Sequence, residues 1–168
     1  MRISDYFAEL YVAGRLADAG WDVYFPHRDK GIDFIISKDV QGRLFLRPVQ
    51  VKGKYPASDK TDKPSYGYVG KLSQTHPEMV LAIAVFSSAT PNAAPKYVAY
   101  MPASLIKKSK RGYRCLPAAF ENGEPEPRRD HRKFFDDKGI RELDSEDWKK
   151  STVGRQTSNQ RGCENADH

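Results

Sequence analysis

The run Met79-Val80-Leu81-Ala82-Ile83-Ala84-Val85-Phe86 restricts this chain more than any other stretch. It is continuously apolar and of strand length. A strand that is apolar on both sides needs cover on both faces, the situation of a central strand in an α/β sheet. Around it the elements read in the order helix, strand, hairpin, crossover, buried strand, strand, helix. Residues 4–19 are expected to form an amphipathic helix, with Ser4 as its cap and Gly20 as its left-handed stop. Its apolar stripe is Ile3, Phe7, Leu10 and Ala17, and Glu9 lies beside it, in line with Tyr6, Ala13 and Leu16. Trp21 to Phe25 is a short strand stopped by Pro26. Val69 to His76 is expected to be a crossover helix ended by Pro77. Lys96 to Met101 is a further strand, and Pro102 opens a short helix through Lys108. Phe134, Phe135, Ile140, Leu143 and Trp148 are expected to dock the C-terminal segment on the body. This order describes an α/β sandwich with a mixed sheet, a single domain over residues 1–150. Residues 151–168 are small and polar, and are expected to be disordered.

Between the first strand and the buried one lie two apolar runs, Gly31-Ile32-Asp33-Phe34-Ile35-Ile36 and Pro48-Val49-Gln50-Val51-Lys52, separated by a polar turn. Such a pattern reads as a β-hairpin. With Gln41 and Gly42 as the central turn residues, Asp33 faces Gln50 directly. A turn at Asp39-Val40 would put Leu46 opposite Asp33 instead. The first register is preferred because it gathers Asp33, Gln50 and Lys52 on one surface, alternate strand residues sharing a face. Pro48 cannot donate to a ladder, so a bulge or a free edge is expected just before Gln50.

Asp33 is a carboxylate among Ile and Phe, where it costs free energy unless paired or bound to a metal. Hard divalent cations such as Mg2+ take oxygen ligands, with water completing the shell. Asp33 supplies a carboxylate, the Gln50 amide a neutral oxygen and the Val51 backbone carbonyl a third. Lys52 beside such an ion would hold an attacking water or stabilise a pentavalent phosphate. A further acid is wanted, and Glu9 is the one that the first helix offers, directly or through water.

Glu9, Gly31-Ile32-Asp33 and Gln50-Val51-Lys52 together resemble the PD-(D/E)xK nuclease superfamily, over about residues 1–105 by element order. The resemblance implies a restriction-endonuclease-like three-layer sandwich, a central mixed β-sheet flanked by helices. It also implies a Mg2+-dependent endonuclease of DNA, with Mn2+ as a substitute ion and Glu9, Asp33, Gln50 and Lys52 as the catalytic set. Gln50 stands where the family usually has Glu or Asp, and Gln-x-Lys variants occur within it. Cutting both strands of a duplex or a branched DNA usually takes two sites, so a homodimer is compatible with this reading.

Composition adds a partner class. The net charge is +6 over 168 residues, which suits an anionic partner. Arg28 and Lys30 flank the entry to the hairpin. The polar segment after Lys52 interleaves Lys54, Tyr55, Lys60, Lys63, Tyr66 and Tyr68, bases for phosphates and rings for stacking, and Lys71 lies on the expected crossover helix. Two further basic clusters follow, Lys107 to Arg114 and Arg128 to Lys133. Cys115 and Cys163 are too few for a zinc site, and no disulfide between them is expected. No apolar run approaches the roughly 18 residues of a membrane span, and no signal peptide is visible. A cytoplasmic protein is the expectation. Two other readings fit the same residues: a nuclease-fold module that grips DNA without cutting it, and a protein-interaction component of a mobile-element or defence system.

Overall fold

A computed structural model describes residues 3–28, 31–55, 68–72, 75–87 and 94–152. Lys30, Lys60, Lys63, Tyr66, Cys163 and the expected tail beyond Thr152 lie outside them, and Tyr68 is described by its backbone alone. The chain is α/β. Its main sheet has five strands, in chain order β1 (Asp22–Tyr24), β2 (Phe34–Val40), β3 (Arg43–Lys54), β5 (Val80–Val85) and β6 (Tyr97–Pro102). β3 and β5 run parallel while the other pairs are antiparallel, so the sheet is mixed. β5 is an interior strand between β3 and β6, beside the middle strand β3 and not itself the middle one, and every one of its residues is buried, as its unbroken apolar run requires.

The β2–β3 hairpin has the preferred register from Val40↔Arg43 to Phe34↔Val49; the ladder stops there, and the Asp33 N–H turns back to the Val49 carbonyl, so Asp33 lies beside Gln50 without a ladder pair to it. Gln41 and Gly42 both have positive φ, 54° and 81°, the two-residue turn whose twist matches the strands. Gln41 is strained there, since a left-handed backbone suits Asn or Gly better. Gln41→Asn is expected to stabilise the fold by about 0.5 kcal/mol, seen as a higher urea midpoint at unchanged m-value. The bulge expected at Pro48 is absent, and Pro48 pairs with Ile35 in register. The Val49 carbonyl accepts from the Asp33 N–H at 3.0 Å, so Val49 turns its polar groups toward β2 and Pro48 turns its nitrogen away. On that side β5 begins only at Val49↔Val80, so the missing N–H breaks no ladder bond.

One face of the sheet is covered by helix. α1 (Ile3–Asp18) packs chiefly on β3, and α2 (Asp136–Glu142) on β6. The buried side of α1 is Ala8, Val12, Ala13 and Leu16. Phe7, Leu10 and Ala17, expected on the buried stripe, are exposed. Two alanines let the helix approach the sheet more closely than a Phe–Leu stripe would, and packing outweighs the larger apolar side chains. Gly20, at φ 83°, ends the helix as expected, with the Trp21 N–H returning to the Leu16 carbonyl. On α2 the backbone of Gly139 comes so close to that of Phe134 that a Cβ would meet the Phe134 carbonyl oxygen at 2.1 Å.

The other face is covered by strands. Val69 to His76 is not a described helix: β4 (Tyr68–Gly70) pairs with β8 (Gly112–Arg114), which pairs with β7 (Lys107–Ser109). The helix expected after Pro102 is a single 3-10 turn, Ala103–Leu105, before β7. β9 (Ala118–Glu121) and β10 (Glu124–Pro127) make a further hairpin. Phe134, Phe135, Ile140, Leu143 and Trp148 are all buried, so the C-terminal segment does dock on the body. No described helix is long and apolar enough to cross a membrane.

Candidate metal and phosphate site

β2 ends at Phe34, but β3 continues for five residues beyond Val49. Among the described residues no strand pairs with β3 past that point on the β2 side. Asp33 occupies the opening. Its backbone N–H closes on Val49, and its carboxylate Oδ2 accepts from the Val51 N–H at 2.6 Å. A side chain thus takes over the ladder position that a further β2 residue would have filled. The N–H and C=O of one strand residue point the same way, so the Val51 carbonyl is directed to the same side as Asp33.

Gln50 lies one residue away, with its side chain on the face it shares with Leu81 of β5. It is buried, and its amide Oε1 has no hydrogen-bond partner among the described residues. A buried amide oxygen without a partner costs about 1–3 kcal/mol, so this position calls for a ligand that a hydrocarbon side chain would not need. Lys52 follows on the same face, half-buried. Lys54 is next along that face, beneath Cys115, Pro117 and Ala118. Burial holds its amine below the usual lysine range, and the charge of Lys52 lowers it further. Burial also pushes the Cys115 thiol up to about 12, partly offset by Lys54, so Cys115 is an inert core thiol.

Glu9 is half-buried, one turn before Ala13 on the packed side of α1. That helix covers the opposite face of β3. Its Tyr11 and Arg15 act on Tyr100, which is in register with Ala82 and, through it, with Val51. Asp33, Gln50 and Lys52 are therefore grouped by one hairpin, while Glu9 approaches from the other side of the sheet, its route to them running round the open edge of β3. Among the described residues no three His, Cys, Asp or Glu side chains cluster as a metal cage. A divalent ion here would draw on carboxylate, amide and carbonyl oxygen together with water, a set that suits Mg2+ and not zinc.

The expected phosphate contacts are spread more widely. Arg28 is exposed just past β1, and Lys71 is exposed just past β4. Tyr55 stacks on Phe86, with centroids 4.3 Å apart and planes 11° from parallel, and Phe7 of α1 also reaches Phe86. One face of the Tyr55 ring is thereby used in packing. The two basic clusters read as separate in the sequence come together in the fold: the Arg128 N–H donates to the Pro117 carbonyl at 2.8 Å, just past Arg114. The signal for this was the shared sign of the two stretches; their adjacency depends on how the β7–β8 hairpin folds back. No family model matches the chain, and no curated protein is similar to it at a significant level.

Proposed function

We propose that this protein is a metal-dependent endonuclease of DNA, a Gln-x-Lys member of the PD-(D/E)xK superfamily with its restriction-endonuclease-like architecture. The observation that carries the reading is the end of the β2–β3 hairpin. There a carboxylate replaces the missing strand, beside a buried amide oxygen with no partner and a lysine on the same face. Asp33, the Gln50 amide and the Val51 carbonyl would hold Mg2+ or Mn2+, with Glu9 contributing through water. When bound, the ion supplies Lewis acidity at the scissile phosphate. Asp33 is held by the Val51 N–H, so its carboxylate is oriented before substrate arrives. Lys52 donates hydrogen bonds to the attacking water or to a non-bridging phosphate oxygen, where negative charge grows as the bond to phosphorus forms. Arg28 and Lys71 give the backbone sequence-independent contacts.

The test is cleavage of plasmid, linear and four-way-junction DNA with Mg2+ or Mn2+. Cleavage that chelator abolishes is the expected result. A protein that shifts DNA in a gel but leaves every substrate whole with either ion is instead a binding module, the outcome that the neutral Gln50 favours. Absence of affinity for DNA at low salt would favour a protein partner.

A further inference from the structure

The charges of this protein are unevenly matched. Around the helices and the C-terminal segment bases have acids: Arg15 with Asp137, Lys38 with Asp144, Arg47 with Glu78. From Lys107 to Phe120 there is no acidic residue at all. Lys107, Lys108 and Lys110 are exposed and take no ion pair among the described residues. The strand pairing worsens this, because Lys107 stands directly opposite Arg114 across the β7–β8 hairpin. Like charges at opposed positions destabilise a sheet.

The second basic stretch closes on the same place. His131 is half-buried, and its Nδ1 has no hydrogen-bond partner among the described residues. Burial, then Arg128 and Lys107 together, hold the imidazole below its usual range, with Asp130 opposing them. Arg128 is exposed and takes no ion pair among the described residues either. The Arg128 N–H donates to the Pro117 carbonyl at 2.8 Å, three residues past Arg114, so two stretches some twenty residues apart in sequence present one cationic surface beside His131.

We infer that this surface, formed by Lys107, Lys108, Arg114 and Arg128, binds the phosphate backbone of duplex DNA flanking the site at Asp33 and Lys52. The inference rests on the nuclease reading and extends it. The surface is linked to that site through the residues packed between them. Lys52 acts on Lys54, Lys54 lies under Cys115, Arg114 precedes Cys115, and Arg114 faces Lys107. Its chemistry is that of a backbone reader. Among the described residues none of the large exposed apolar side chains falls between Lys107 and Lys133. A protein interface needs buried apolar or aromatic anchors at its centre, and membrane attachment needs an apolar face as well as charge. Here only charge is offered, with Tyr113 half-buried between the lysines.

The measurement is fluorescence anisotropy of a labelled duplex in chelator, at a series of salt concentrations. The triple variant Lys107→Ala, Lys108→Ala, Arg128→Ala is compared with wild type. Each lost phosphate contact lowers the slope of log affinity against log salt by about 0.9. The triple variant is expected to lose about 2–3 from that slope and about 10–100-fold in affinity at moderate salt. Removing three charges elsewhere, with Lys138→Ala, Arg141→Ala and Lys150→Ala, is expected to leave the slope unchanged. A slope for the patch variant equal to that of wild type, or a loss no larger than in the control, overturns the inference. Equal or tighter binding of duplex RNA overturns the assignment to DNA. The nuclease reading fails separately: if Lys52→Ala cuts as well as wild type while the patch variant loses its salt slope, the surface stands and the site does not.

Discussion

Lys52→Ala is expected to lower metal-dependent DNA cleavage by about 10²–10³-fold, the cost of removing one preorganised donor to developing charge. Folding stability should change by less than about 0.5 kcal/mol, because Lys52 is half-buried and takes no ion pair among the described residues. A second readout is independent of cleavage. Burial and then the charge of Lys52 lower the pKa of Lys54. With Lys52 gone, the Lys54 ammonium should titrate at higher pH, a change that NMR can follow. Asp33 separates differently, because its carboxylate both caps the Val51 N–H and would hold the ion. Asp33→Asn keeps an oxygen for that N–H and should abolish cleavage at small cost in stability. Asp33→Ala should abolish cleavage and also cost about 1–3 kcal/mol, the penalty for an unpaired buried donor. If Asp33→Asn and Lys52→Ala both cut like wild type while Asp33→Ala merely unfolds more easily, the aspartate is a strand cap and nothing more.

That division follows what could be read from residues alone. The register of the hairpin was legible because Gln41-Gly42 admits few turn geometries, and the register brings Asp33 to the end of the ladder beside Gln50. The buried interior strand was legible because eight apolar residues in a row leave little choice. The packed side of α1 was misjudged. Helical periodicity ranks Phe7 and Leu10 above Ala8 and Ala13, whereas close approach to a sheet favours the small residues. The segment after Val69 has too little periodicity to separate strand from helix, and its pairing with β8 depends on residues more than forty positions later. The side of the sheet from which Glu9 approaches depends on the crossover of the chain, which no local pattern encodes.

Arg47 was the least legible residue, and its replacement is expected to have the largest effect on stability. In the sequence it is one base in an alternating strand. In the fold its side chain is 1% exposed. Its Nε donates to the Leu143 carbonyl at 3.0 Å, Nη2 to the Ser145 carbonyl at 2.8 Å and Nη1 to the Glu78 carboxylate at 2.5 Å. The guanidinium lies 5.4 Å from the ring centroid of Phe45 and 5.6 Å from that of Trp148. Burial lowers its pKa, Glu78 works against that, and an arginine nevertheless stays charged. This one side chain ties β3 to the C-terminal segment by two bonds and the Trp148 ring, and to Glu78 just before β5 by a third bond. Arg47→Ala should cost about 3–5 kcal/mol, since it strands Glu78 and two carbonyls beside the hole it leaves. For a domain whose total stability is about 5–15 kcal/mol, that approaches unfolding at physiological temperature. A buried ion pair can sometimes be exchanged for a hydrocarbon at no loss, but Arg47→Met would still leave the Leu143 and Ser145 carbonyls without their donor. It should therefore remain at least about 2 kcal/mol below wild type. Arg47→Lys keeps the charge but cannot span three acceptors, and should fall between wild type and Arg47→Ala. Urea unfolding of the three variants gives this ranking directly. An Arg47→Met protein as stable as wild type would mean that water satisfies those carbonyls, and that Phe45 and Trp148 hold the C-terminal segment without the guanidinium.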